Sequence, residues 1–442
     1  MDFRPERCVL TGGRPITFPK VNLKYPVNRR AAWRGLLRGW RLTLAASFAT
    51  LSAAEDPALA PAVVNNAPGA AYAPSTRVFQ GIPGLARAPG GRLWATWYGG
   101  GTDEGPENYV MLATSADDGR TWSELRAVID PAGPVRAYDP TLWTDPQGRL
   151  WWFYAQSYRW WDGRAGVWAT TTDDPQNANP RWSAPRRLAD GIMMNKPTVL
   201  RNGDWLFPIS IWTQQPAKNV APDDRRHVPP EQLKWDAAQV GAHVYRSRDR
   251  GATLTRIGTV KIPDPQFDEH MLVERKDASV WLLARNQLGI AESASRNGGA
   301  AWADAKPATI PHVASRFFIR RLRSGNLLLV KHNPQLDTQW LQQKKTANPL
   351  HQRSHLTAYL SADDGKTWRG GLLLDERLGV SYPDGDEAED GRIFLIYDSS
   401  RKGDKEILLA VFTEADILAG KIDTARSSLR LRVHQATGTV AP

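Results

Sequence analysis

Cysteine is almost missing from this 442-residue chain, and its single copy, Cys8, lies among the first ten residues. That leaves the body of the protein without a disulfide framework or a thiolate metal site, so its stability has to come from a packed core. No apolar run approaches the roughly 18 residues that a membrane-spanning helix needs. Long stretches with an apolar residue every three or four positions, the mark of a helical protein, are scarce as well. No His, Asp and Glu cluster shows metal-ligand spacing, no glycine loop opens a helix as a phosphate cradle would, and no Ser, His and Asp fall in a triad-like order. Neither a metal nor another cofactor is expected.

Acidic residues are outnumbered, 46 against 57 Lys and Arg, for a net charge of +11. The excess is local. Residues 1–54 hold ten basic residues against Asp2 and Glu6, which is +8 of the total. The remainder lacks the clustered basic face that nucleic acid requires, so nucleic acid is not an expected partner. The same segment has the order of an export leader: Arg29, Arg30, Arg34, Arg38 and Arg41, then the short apolar run LTLAASFATL (42–51), then small residues near Ala54. Secretion or a periplasmic location is expected, with no membrane attachment after leader removal. The expected organisation is leader 1–54, linker 55–74, one large domain 75–425 and a tail 426–442.

Trp (19), Gly (36) and Pro (32) are plentiful, which favours many short strands joined by turns. Two octets repeat almost identically, SADDGRTW at Ser115–Trp122 and SADDGKTW at Ser361–Trp368. Weaker copies start at Ser247, Ser295 and Thr171. Asp117 and Asp363 can bond turn amides, Gly119 and Gly365 can supply positive φ, and Trp122 and Trp368 can pack beneath the sheet. A second signal, a turn followed by a buried strand, recurs six times, from Gly90, Gln147, Asn202, Asp277, Ser324 and Asp390. Six units of this kind, each a four-stranded antiparallel sheet, predict an all-β six-bladed β-propeller.

The octet resembles the Asp-box, or bacterial neuraminidase repeat, and residues 75–420 resemble the sialidase superfamily. That resemblance implies functional residues at strand ends and none in the octets. In DEHMLVERKDASVWLLARN it places Glu269 as activating base and Arg285 as a carboxylate-binding arginine. Arg353, before a strand and an octet, would be a second clamp arginine, and Tyr382 in GVSYPDGDEAED the nucleophile. The acid/base would come from the Gly-rich loop after Tyr98, where Asp103, Glu104 and Glu107 stand and Glu107 aligns best. A tyrosine suits a sugar bearing a carboxylate on its anomeric carbon, because a neutral phenol is not repelled as a carboxylate nucleophile would be. Paired guanidinium forks suit the same carboxylate.

One departure stands out. Where the superfamily carries F-R-I-P, this chain reads FQGIP, with Gln80 and Gly81 in place of the first clamp arginine. Arg77, Lys196 or Arg316 could substitute. His270, beside Glu269, is open to an acid–base or a structural role, and Lys196 also stands at a strand entrance. The expected activity is exo-acting hydrolysis of a terminal acidic sugar, with an acidic glycan as partner. Two alternatives use the same parts: elimination on a uronate substrate by a polysaccharide lyase, and a non-catalytic glycan-binding propeller with stacking platforms such as Trp160–Trp161.

Overall fold

A computed structural model describes residues 56–158, 166–212, 236–333 and 352–440. Residues 1–54, the expected leader, and the Trp160–Trp161 pair lie outside the described residues. Six antiparallel sheets follow one another along the chain, each folded from a continuous stretch. They are blade 1 (64–129), blade 2 (135–190), blade 3 (198–260), blade 4 (271–307), blade 5 (318–375) and blade 6 (380–435). The first strands lie around a common axis and blade 6 returns against blade 1, closing a six-bladed propeller.

Burial explains which segments were easy to read. The six apolar runs are the second strand of each blade, among them Leu93–Gly99, Leu150–Tyr158, Val280–Asn286 and Ile393–Ser399, and almost every residue in them is buried. A strand enclosed on both faces shows a continuous apolar run rather than alternation. In Leu93–Gly99 the period of two still sorts the side chains. Trp94 and Tyr98 pack toward blade 2, whereas Leu93, Ala95 and Trp97 pack toward blade 6. Apolar clusters fill each of the other four seams as well. The axial strands are the segments that precede these runs, including Gln80–Arg87, Val135–Thr144, Met271–Glu274 and Val380–Glu387. Gln80–Arg87, Val135–Thr144 and Val380–Glu387 are harder to recognise because Gly, Pro, Asp or Ser interrupts their apolar residues.

The flanking segments belong to the propeller. Val64–Asn65, within the expected linker, adds a fifth strand to blade 1, and Ser428–Gln435, within the expected tail, is the outermost strand of blade 6. Carboxylates secure the final seam. The backbone amides of Ile82, Leu85 and Arg87 in blade 1 donate to Asp398 (2.7 Å), Asp384 (2.8 Å) and Asp386 (3.1 Å) of blade 6.

The octets form the turns after the third strands. Ser115 Oγ donates to Asp117 Oδ1 (2.8 Å) and accepts from Gly119 N, while Thr121 donates to Asp117 through both its amide and hydroxyl. Ser361 and Asp363 make the same bonds with Gly365 and Thr367. Gly119 and Gly365 adopt φ of 80° and 86°, and Trp122 and Trp368 pack against the apolar clusters of their seams.

Candidate active site

Strand direction decides which residues can meet. With antiparallel strands, the start of each first strand, the end of each second strand and the loop between second and third strands share one face, and the octet turns lie on the other. On the first face a cavity of about 170 Å³ opens at the axis. Its polar walls comprise Asp103, Glu104, Arg136, Asp139, Glu269, Arg285, Arg353, Tyr382 and Arg401, against apolar Ile82, Met194, Trp212 and Phe267.

The backbone is bent to present these groups. The first strands of blades 1, 2 and 6 each break register, between Gly81 and Gly84, Tyr138 and Thr141, and Ser381 and Asp384. Each break holds a residue at positive φ followed by proline: Ile82 (58°), Asp139 (47°) and Tyr382 (55°). Glu269, at φ 39°, enters from the segment before the first strand of blade 4. Such conformations are unfavourable for side-chain-bearing residues and concentrate where a fold must aim a side chain.

Tyr382, Glu269 and Arg285 form one contact set at the pit floor. The Tyr382 hydroxyl donates to Glu269 Oε1 (3.2 Å), Arg285 Nη1 donates to the same oxygen (2.8 Å), and Arg285 Nη1 lies 3.3 Å from the phenolic oxygen. Tyr382 is 5% exposed and Arg285 2%. Burial, then the Glu269 charge, raises the phenol above its usual pKa against the pull of Arg285, Arg353 and Arg401. The phenol is therefore neutral at rest and adjoins a carboxylate able to take its proton.

Two more guanidiniums flank the same ring, Arg353 at 5.4 Å and Arg401 at 5.0 Å from its centroid. Arg353 has no hydrogen-bonded or ion-paired side-chain partner among the described residues, and burial lowers its pKa. A guanidinium held this way favours an arriving anion. Arg401 pairs with Glu104 (2.9 Å) and lies 3.7 Å from Asp398. Arg136 stacks on Tyr138 at 3.9 Å. Of the acids, Asp103 is ion-paired with Lys402, whereas Asp139 is pushed up to about 8 by burial and then by the Glu104 charge.

The structure thus brings Tyr382, Glu269, Arg285, Arg353, Asp103 and Glu104 to one pit, with the other candidates elsewhere. Glu107 is exposed outside it, beside Gly101 and Gly105. Lys196 is ion-paired to Asp384 and faces a second cavity among blades 3 to 5. Arg316 donates to Asn195 Oδ1 (2.8 Å), and Asn195 in turn donates to the carbonyls of Glu269 and His270, so Arg316 supports the pit from behind. His270 contacts Ser210 and the His243 carbonyl, and burial lowers it to about 3, which keeps it neutral. Arg77 bonds the Tyr72 and Ala73 carbonyls, away from the pit. No cluster able to hold a metal occurs among the described residues.

Arg401, Asp139 and Arg136 were not singled out from sequence. A signal for Asp139 was present: the Asp139–Pro140 step matches Ile82–Pro83 and Tyr382–Pro383 in the first strands of other blades. Arg401 follows the second strand of blade 6, close to where Arg285 ends the second strand of blade 4.

Residues 91–395 match the family model described as the BNR repeat-like domain. A protein named sialidase from Bacteroides fragilis (strain YCH46) is 23% identical over 350 residues, covering 72% of this chain and 60% of that protein, so the chain spans about three fifths of that relative. Among solved structures, the Hadza microbial sialidase Hz136 superposes with a TM-score of 0.57 at 18% identity, covering 77% of this chain and 66% of that one. The intramolecular trans-sialidase from Ruminococcus gnavus gives 0.53 at 14% identity, covering 79% and 97%. At these identities the structures speak for the fold alone.

Proposed function

The chain belongs to the BNR repeat-like domain family, and from that premise we propose that it is an exo-acting, retaining glycoside hydrolase removing a terminal acidic sugar. The observation that carries this reading is the contact set of Tyr382, Glu269 and Arg285, with the guanidinium of Arg353 over the same ring. The relative named sialidase and the sialidase-like fold support it. A pit of this size favours one terminal residue over a polymer lying across the face.

In this reading the sugar carboxylate lies against Arg353 and Arg285. The Tyr382 oxygen attacks the anomeric carbon as its proton passes to Glu269, and the bond to the leaving oxygen breaks as that oxygen is protonated. Water then attacks the glycosyl–tyrosine bond and gives a proton to the group that served as acid, while the departing phenolate recovers its proton from Glu269. Retention follows from the two displacements. Two carboxyls suit the acid role. Asp103 stands on the loop at the mouth, where a leaving group departs, and Asp139 is held protonated near neutral pH. Activated leaving groups need no acid, so restored turnover of such substrates by Asp103→Asn or by Asp139→Asn identifies the donor. Export to the cell envelope or medium, suggested by the leader, completes the reading.

The test is turnover of fluorogenic sialosides and uronides by the purified protein, with the product examined for unsaturation. A fluorinated acidic glycosyl fluoride should leave a sugar on Tyr382 detectable by peptide mass spectrometry. An unsaturated product would assign elimination instead, and binding without turnover would assign a lectin-like role.

A further inference from the structure

We propose, resting on the acidic-sugar reading, that Arg401 is a carboxylate-binding arginine of the pit and that Gly81 is glycine because this side chain occupies its space. A Cβ at position 81 would stand 2.2 Å from Arg401 Cδ, 2.4 Å from Cγ and 2.8 Å from Asp398 Oδ2. The crowding is with the middle of the Arg401 stem, so any residue other than glycine would displace the guanidinium from the pit. Gly81 sits at the start of the first strand of blade 1, and Arg401 arrives from the loop after Ile393–Ser399 in blade 6. A guanidinium from one blade thus fills the place that a side chain from the neighbouring blade would take.

Its surroundings are those of a binding group. Arg285, Arg353 and Arg401 gather around the Tyr382 ring, and the first and third of them raise the electrostatic cost of holding Arg353 charged. Glu104 and Asp398 hold Arg401 at the pit wall without closing it off, since Arg401 still lines the cavity. A carboxylate entering between Arg353 and Arg401 relieves their repulsion and accepts from two planar forks, a geometry an ammonium cannot reproduce. Asp398 also accepts from Ile82 N (2.7 Å) and Ser381 Oγ (2.5 Å), so the group that positions Arg401 also ties blade 6 to blade 1.

A purely structural role for Arg401 makes different predictions, and a reciprocal exchange separates them. The probes are an acidic glycoside and its methyl ester with the same leaving group. Wild-type protein should prefer the acid. Arg401→Ala should raise KM for the acid by about tenfold to a hundredfold, the range for losing a hydrogen bond to a charged group, and change the ester little. Arg401→Lys should fall between the two. Gly81→Arg alone should impair activity by collision, whereas Gly81→Arg with Arg401→Gly should recover most of the preference for the acid, because the guanidinium is resupplied from the other blade. Thermal unfolding of each variant separates loss of binding from loss of folding. Unchanged preference in Arg401→Ala, or a folded double variant without recovery, overturns the proposal. Absence of turnover, or equal use of acid and ester, in the wild-type protein would instead bring down the acidic-sugar reading before any variant is compared, and this proposal with it.

Discussion

The octet turns and the pit both contain left-handed backbone, and it is maintained differently in each. At the octet turns it falls on Asp118–Gly119, Arg250–Gly251, Gly298–Gly299 and Asp364–Gly365. Glycine removes most of the strain there, and Ser and Asp (or Asn) side chains within the same eight residues satisfy the turn amides. At the pit it falls on Ile82, Asp139, Glu269 and Tyr382, where no glycine relieves it and the restraints come from far along the chain, such as Asp398 to Ile82. A turn that carries its own solution recurs from blade to blade because it serves the fold. A bulge held only by the closed ring occurs where a particular side chain has to be aimed.

The largest effects should therefore come from the pit. Tyr382→Phe keeps the ring and removes the oxygen, and turnover of acidic glycosides should fall on the order of 10³-fold with little change in Tm. Equal activity in this variant would end the comparison, since the bulge would then aim nothing of chemical use. Arg285→Ala should destabilise the protein by about 3–5 kcal/mol, because Glu269 would stay buried without its 2.8 Å partner, and denaturant unfolding measures this. Glu269→Gln placed on Arg285→Ala should return part of that loss by removing the stranded charge.

Most of the fold and half of the pit were legible from sequence, for reasons that differ by residue. The octets and second strands are local patterns, so their hydrogen bonds and burial follow from consecutive residues. Tyr382, Glu269, Arg285 and Arg353 were located through motifs around them, and the structure places them in one cavity. Arg401 left no local signal. What marks it is the space above Gly81, and that space exists only once blade 6 meets blade 1. Lys196 and Arg316 stand at strand entrances as Arg353 does, yet both turn to Asp384. Sequence position identifies a strand end but not the direction in which its side chain leaves it.

Asp139 sharpens the contrast through pH. Its carboxyl is raised to about 8 in the folded protein, against about 3.9 when unfolded. Between these values the unfolded chain has released a proton that the folded one retains. The contribution to stability is thus fully present below about pH 4 and is lost as pH rises through about 8. Asp139→Asn should unfold at a higher temperature than wild type at pH 8.5 and at nearly the same temperature at pH 4. If Asp139 supplies the leaving-group proton, the alkaline fall in kcat/KM near pH 8 should also vanish in this variant. Were Asp139 ionised in the fold, the order of melting temperatures at high pH would reverse.

The smallest effect belongs to the octets and bears most directly on the division between fold and chemistry. Asp117→Ala removes the acceptor for Thr121 and one partner of Ser115. These bonds lie at a solvent-exposed turn, so the loss should be about 1 kcal/mol, read as a modest fall in Tm. Hydrogen bonds hold the Asp117 carboxyl below its usual range, so its contribution is present above the unfolded pKa and should fade only as pH falls through the lower folded value. The octet turn and the pit lie at opposite ends of blade 1, joined by Tyr109–Ser115. Activity per folded molecule should stay at the wild-type level, measured with the acidic glycoside that detects the loss in Tyr382→Phe. A fall in kcat without a matching fall in folded protein would mean that the blade transmits the state of its turn to the pit.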